Sequence, residues 1–182
     1  MLGRLFAIIA CLLLVACTTP APRSSVTLPL LQLAPAALGT TLSTQQQLRF
    51  RYGSHERTLD ALLEVDGKEV RLLVQALGQT GVRLQWDGLQ LHEQRAAWLP
   101  PSVRGARVLD DLQFALWPED VVRRVLPSGW TLQDDGVTRS LQQAGTVWLE
   151  LKRQGDGRLQ LENRAEGYQL EILSSDNGGE TP

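Results

Sequence analysis

Leu48, Phe50 and Tyr52 alternate with Arg49 and Arg51, and this two-residue period governs most of the chain. Residues two apart share one face of a strand, so the pattern predicts strands with one apolar and one polar side. A second run, Leu59, Ala61, Leu63 and Val65, ends at Asp66-Gly67, and Val70, Leu72, Val74 and Ala76 return from it. Val82, Leu84 and Trp86 repeat the arrangement, reach Asp87-Gly88 and come back through Leu89 and Leu91. Asp-Gly between alternating runs is a strong hairpin signal. The expectation is a long antiparallel meander.

The period changes in the middle. Leu109, Leu112 and Leu116 fall at helical spacing, with Asp110 and Asp111 read as residues near the helix start. Pro118 suits a first helical position, and Glu119 and Asp120 suit the positive end of a helix dipole. Val121, Val122, Val125 and Leu126 then form an apolar stripe, which Pro127 to Gly129 stops. Alternation resumes with Val147, Leu149 and Leu151 and closes with Tyr168, Leu170 and Ile172. Strands, helices, strands is an α+β order. It predicts an α+β domain, or a curved antiparallel sheet with short helices against one side. Phe50, Leu84 and Trp86, joined by Trp117, Val121, Val122 and Val125, would line the concave face of such a sheet and hold an apolar ligand.

The N-terminus reads differently. Arg4 precedes an unbroken apolar run, Leu5 to Ala16, shorter than the ~20 residues a membrane-spanning helix needs. A basic start, a short apolar stretch and small residues at its end describe an export signal. Leu14-Val15-Ala16-Cys17 resembles the bacterial lipobox, which implies cleavage before Cys17 and acylation of its thiol and new amine. Ile8-Ile9-Ala10-Cys11 has the same form but leaves too short an apolar region ahead of it. Thr18, where an aspartate would imply inner-membrane retention, implies the outer membrane, with the protein facing the periplasm. From Thr18 to about Leu38, prolines at 20, 22, 29 and 35 disfavour helix and suggest an extended tether, although Leu28, Leu30, Leu31 and Leu33 are many for a linker. The expected division is a signal at 1–16, an acylated tether at 17–38, a folded domain at 39–174 and a polar tail at 175–182.

Composition narrows the chemistry. The 182 residues carry 18 basic and 20 acidic side chains, a formal charge of −2, with no basic stripe to suggest nucleic acid. The two histidines, His55 and His92, have no cysteine or second histidine at ligand spacing, so no metal site is expected. No Gly-x-Ser-x-Gly elbow or phosphate-cradling loop occurs. Asp110/Asp111 and Asp134/Asp135 read as helix-start and turn residues rather than a hydrolytic dyad. No catalytic residue and no cofactor is expected, and a monomer suffices.

The span from Leu48 to Leu173 resembles the outer-membrane lipoprotein receptor family LolB, a half-open antiparallel barrel with helices on its concave side. The sharpest piece is "VRLLVQALGQTGVRLQW", Val70 to Trp86. In that family the leucine of a short Leu-Gly loop protrudes and touches membrane, which the resemblance maps to Leu77 and Gly78. The sequence leaves open the alternative that Leu77 ends a strand and packs inward. "LQFALWPEDVVRRVLPSGWTL" and "RLQLENRAEGYQLEI" resemble more closely a family of LolB-like lipoproteins encoded beside aryl-polyene biosynthesis genes. Together these imply transfer of a lipidated or amphipathic cargo, an acyl or polyene chain, delivered by a periplasmic LolA-like carrier. The competing reading is a structural or adaptor lipoprotein whose concavity is filled by its own side chains.

Overall fold

The computed structural model describes residues 26–99 and 103–176. Cys17 and its surroundings lie outside the described residues. Among the described residues ten strands form one antiparallel sheet. The first five are β1 (Leu42–Tyr52), β2 (His55–Val65), β3 (Val70–Ala76), β4 (Gln79–Trp86) and β5 (Leu91–Arg95). Two helices follow, α1 (Gly105–Leu116) and α2 (Glu119–Val125). The remaining strands are β6 (Trp130–Asp134), β7 (Thr138–Gln143), β8 (Thr146–Arg153), β9 (Leu159–Asn163) and β10 (Tyr168–Asp176). Their order is β5-β4-β3-β2-β1-β10-β9-β8-β7-β6, so the two meanders meet where β1 pairs with β10 and the sheet stays open between β5 and β6.

Both Asp-Gly turns close in one way. Asp66 Oδ1 accepts from the amides of Lys68 and Glu69, and Asp87 Oδ1 accepts from those of Leu89 and Gln90, all within 2.9 Å. Such Asx turns satisfy the amides that the reversal would leave bare. The alternating apolar residues then fall on one face: Leu63, Val65, Val70, Leu84 and Leu151 are all at most 2 % exposed.

That face must curl. Helix α1 takes a hydrogen bond from Gly105 N to Glu93 Oε1 of β5 at 2.8 Å, and the Phe114 carbonyl accepts from Arg139 of β7 at 2.7 Å. In the sheet order β5 and β7 stand eight places apart, about 38 Å at the usual interstrand spacing if the sheet were flat. A 12-residue helix is only about 18 Å long. One helix reaches both because the sheet wraps around it.

The wrapping also explains where α1 begins. A Cβ at Gly105 would sit 2.6 Å from the Glu93 carboxylate. Glycine there lets a glutamate from a distant strand cap the helix N-terminus, in place of a neighbouring Asp or Ser. Asp110 and Asp111 therefore sit mid-helix and buried, not at its start. Arg139 closes the other end, donating to the carbonyls of Phe114 and Trp117 while paired with Asp134 at 2.5 Å.

The residues before β1 are part of the same packing. Leu28, Leu31 and Leu33 are 5 % exposed or less, and a 3₁₀ turn at Pro35–Leu38 brings Pro35 against Gly88. The packed unit thus takes in residues 28–38, ahead of the boundary at 39 that composition suggested. At the other end, β10 continues through Asp176.

Candidate apolar site and exposed rim

The concave face is occupied. Residues 26–34, here called the strap, lie across it beside α1, running from the rim that carries Glu166 toward the opposite rim at Gly88. Arg107 Nη2 donates to Leu28 O at 3.1 Å, and Leu31 N donates to Asp110 Oδ1 at 2.8 Å. Gln113 grips Leu33 from both sides, Oε1 accepting from its amide at 2.9 Å and Nε2 donating to its carbonyl at 2.8 Å. Two indoles complete the ladder: Trp86 Nε1 donates to Leu33 O at 2.8 Å and Trp117 Nε1 to Ala34 O at 3.1 Å.

This corrects the expectation of an open, ligand-lined hollow. Leu84, Trp86, Trp117 and Val122 are packed interior side chains, exposed by 3 % or less. Their partners are strap, helix and sheet, because three strap leucines enter the space the curled sheet leaves. Phe50 is half-buried and stacks at a tilt on Tyr168, with ring centroids 5.4 Å apart. Val121 is half-buried, whereas Val125, at the last position of a seven-residue helix, faces water. Two cavities, of about 220 and about 410 Å³, lie elsewhere. Charged and amide groups such as Arg49, Arg51 and Glu171 line the first, and Gln45, Gln47 and Gln75 line part of the second. Neither is lined by the predicted apolar set.

Beneath the strap lies a buried acidic pair. Asp110 is 2 % and Asp111 8 % exposed, and Asp110 Oδ2 and Asp111 Oδ1 have no hydrogen-bond partner. Tyr168 donates its hydroxyl to Asp111 Oδ2, and Asn163 Nδ2 donates to the tyrosine oxygen at 3.0 Å. Arg107 stands 3.5 Å from Asp110 and 3.2 Å from Glu166. Burial pushes Asp110 up to about 6 against the pull of the Leu31 amide and Arg107, and pushes Asp111 up to about 7 against the Tyr168 hydroxyl. Burial likewise raises the Tyr168 hydroxyl, with Asp111 adding to it. The sequence reading missed this group, although a signal was present. Arg107, Asp110 and Gln113 recur every three residues, a polar stripe beside the apolar stripe of Leu109, Leu112 and Leu116.

Leu77 settles between its two readings as an outward residue. It is fully exposed at the tip of the β3–β4 hairpin, with φ 50, and Gly78 follows at φ 75. Two positive φ values in a two-residue loop make the turn whose twist matches that of the strands, a position that favours Asn-Gly. Trp98, 48 % exposed, packs over Gly81 near the same tip. Hairpin directions put this tip on the rim that carries Glu166, where the described chain begins at Val26.

Among the described residues no group of three or more His, Cys, Asp or Glu side chains could hold a metal ion, and no helix is long and apolar enough to cross a membrane. His55 and His92 are both exposed. Residues 43–176 match a family described as "Protein of unknown function (DUF3261)". No curated protein matches the chain.

Proposed function

The chain belongs to the DUF3261 family, and from that premise we propose that it is a lipid-anchored acceptor with a LolA/LolB-like half-barrel, which takes up and passes on a lipidated or amphipathic cargo. Acylated Cys17 holds it on the periplasmic face of the outer membrane, and a LolA-like carrier delivers an acyl or polyene chain to its concave side. No bond is made or broken, so no catalytic residue or cofactor is required.

Leu77 is the observation that carries this reading. A leucine forced into the left-handed region costs roughly 1–2 kcal/mol, and at full exposure it recovers nothing by burial. Strain of that kind points to a role outside the fold. Inserting the side chain into a bilayer would return about 1.5–3 kcal/mol. Its rim is also the one from which the chain leads back toward Cys17. As for cargo, burying ten methylenes is worth about 8 kcal/mol, close to micromolar affinity before any displacement cost is subtracted.

The packed interior favours a second reading, an envelope adaptor that binds no lipid. One pair of measurements separates them. With phosphatidylethanolamine and phosphatidylglycerol vesicles and protein left unacylated at Cys17, so that no anchor holds it, Leu77→Asp is expected to lower co-flotation 10-fold or more with an unchanged Tm; equal flotation removes the rim contact. Native mass spectrometry and uptake of a fluorescent hexadecanoic acid then decide cargo, and a lipid-free protein that takes up none selects the adaptor. Loss of palmitate labelling in Cys17→Ser tests the anchor.

A further inference from the structure

The strap belongs to the core by burial but not by construction. None of its residues 28–34 pairs in the sheet. Its polar contacts, described above, run from side chains of α1 and two tryptophans to its main chain. The groove therefore reads a main chain with leucines at 28, 31 and 33, and it asks nothing of polar side chains. Gln32 is held at φ 46, a conformation that a non-glycine residue leaves readily.

The geometry points to a displaceable strap: residues 26–34 are the resident occupant of a groove between α1 and β4, latched by Arg107, Asp110 and Gln113, and the vacated groove takes an extended aliphatic chain. The last clause rests on the transfer reading above, while the strap and its latch do not. Three leucine side chains leave behind a narrow apolar channel beside Trp86 and Trp117, which suits an alkyl chain, while the Asp110, Gln113 and indole groups released from the strap main chain take water or the cargo's own polar atoms.

Charge supports the latch. The groups facing the acidic pair are Arg107 on α1, Glu166 in the β9–β10 turn, itself paired with Arg104, and Tyr168 on β10; the strap brings only backbone. Glu93 and Arg139 sit farther off at the two helix ends. The strap keeps water from Asp110, whose carboxyl is held up at about 6 by burial. Rising pH therefore favours the strap-off state, in which Asp110 ionises in water.

Hydrogen exchange followed by NMR on the full chain in phospholipid nanodiscs tests this. The Leu31 and Leu33 amides and the Trp86 and Trp117 indoles should exchange at least 100-fold faster than β2 and β3 amides, with little denaturant dependence. A common rate and slope would make the strap an integral part of the core and overturn the proposal. Gln113→Ala should speed strap exchange alone; equal acceleration of the strands overturns it too. Should that variant fail to fold, Asp110→Asn serves instead. Wild-type strap exchange, corrected for intrinsic chemistry, should rise several-fold from pH 5.5 to pH 8, and the variant's should not; the same rise in both overturns the latch. Fluorescent hexadecanoic acid is the groove probe. An opening strap without uptake ends the groove assignment and the transfer reading together, while uptake with a strap that stays protected ends the strap proposal alone.

Discussion

The strap and the β3–β4 tip invert each other. The strap is a proline-punctuated stretch whose composition reads as linker, yet Leu28, Leu31 and Leu33 are buried. The tip interrupts a clean strand pattern, yet its leucine is exposed in full and held in a left-handed conformation. Apolar character is the same in both. What differs is whether the curled sheet offers a surface to cover. The strap crosses the open side of a sheet that needs filling, whereas a hairpin tip projects beyond the last paired residues, Ala76 and Gln79, with nothing above it.

The largest effect should come from the wall on which the strap lies. Trp117→Ala removes a fully buried indole and its bond to Ala34, and is expected to cost about 3–5 kcal/mol by urea denaturation. A loss below 1 kcal/mol would mean that the interior is looser than described. Leu33→Ala should cost less, about 2–3 kcal/mol, because a strap that leaves by itself caps the penalty at its own docking energy. If it costs as much as Trp117→Ala, strap and wall are one cooperative unit and the contrast between them collapses.

The buried acids come next. For Asp110 and Asp111 the folded state binds protons more tightly than the unfolded chain, whose carboxyls titrate near 3.9. Their contribution is whole below that value and is lost as pH rises through about 6 and about 7. Thermal stability should accordingly fall between about pH 4 and pH 7, and Asp111→Asn should flatten the fall, gaining on the order of 1–3 kcal/mol at pH 8. A variant that remains parallel to wild type across that window would show that burial does not govern the pair. The smallest effect belongs to the tip. Leu77→Asn, which makes the preferred Asn-Gly turn, should stabilise by about 0.5–1 kcal/mol while weakening vesicle flotation of the unacylated protein. A destabilised Leu77→Asn would mean that the leucine packs after all.

Much of the sheet was legible, for a local reason. Alternation is set by the pleat, and the Asp-Gly pairs at 66–67 and 87–88 make their own hydrogen bonds within four residues. The start of α1 was not legible, since its cap is Glu93, twelve residues earlier on a strand edge. Nor was the role of Asp110. A carboxylate next to another acid near a helical run reads as a first-turn residue, and only the strap laid over it turns it into a buried ligand for the Leu31 amide.

Sequence alone determined most of the strands, their apolar faces and a short helical stretch between two blocks of strands, because those features depend on neighbours one to four residues away. Tertiary structure decided what fills the sheet, which leucines meet water and which acids lose it. Those outcomes depend on curvature, and curvature brings together residues some 80 positions apart, as between Leu33 and Gln113, by a route no local pattern encodes.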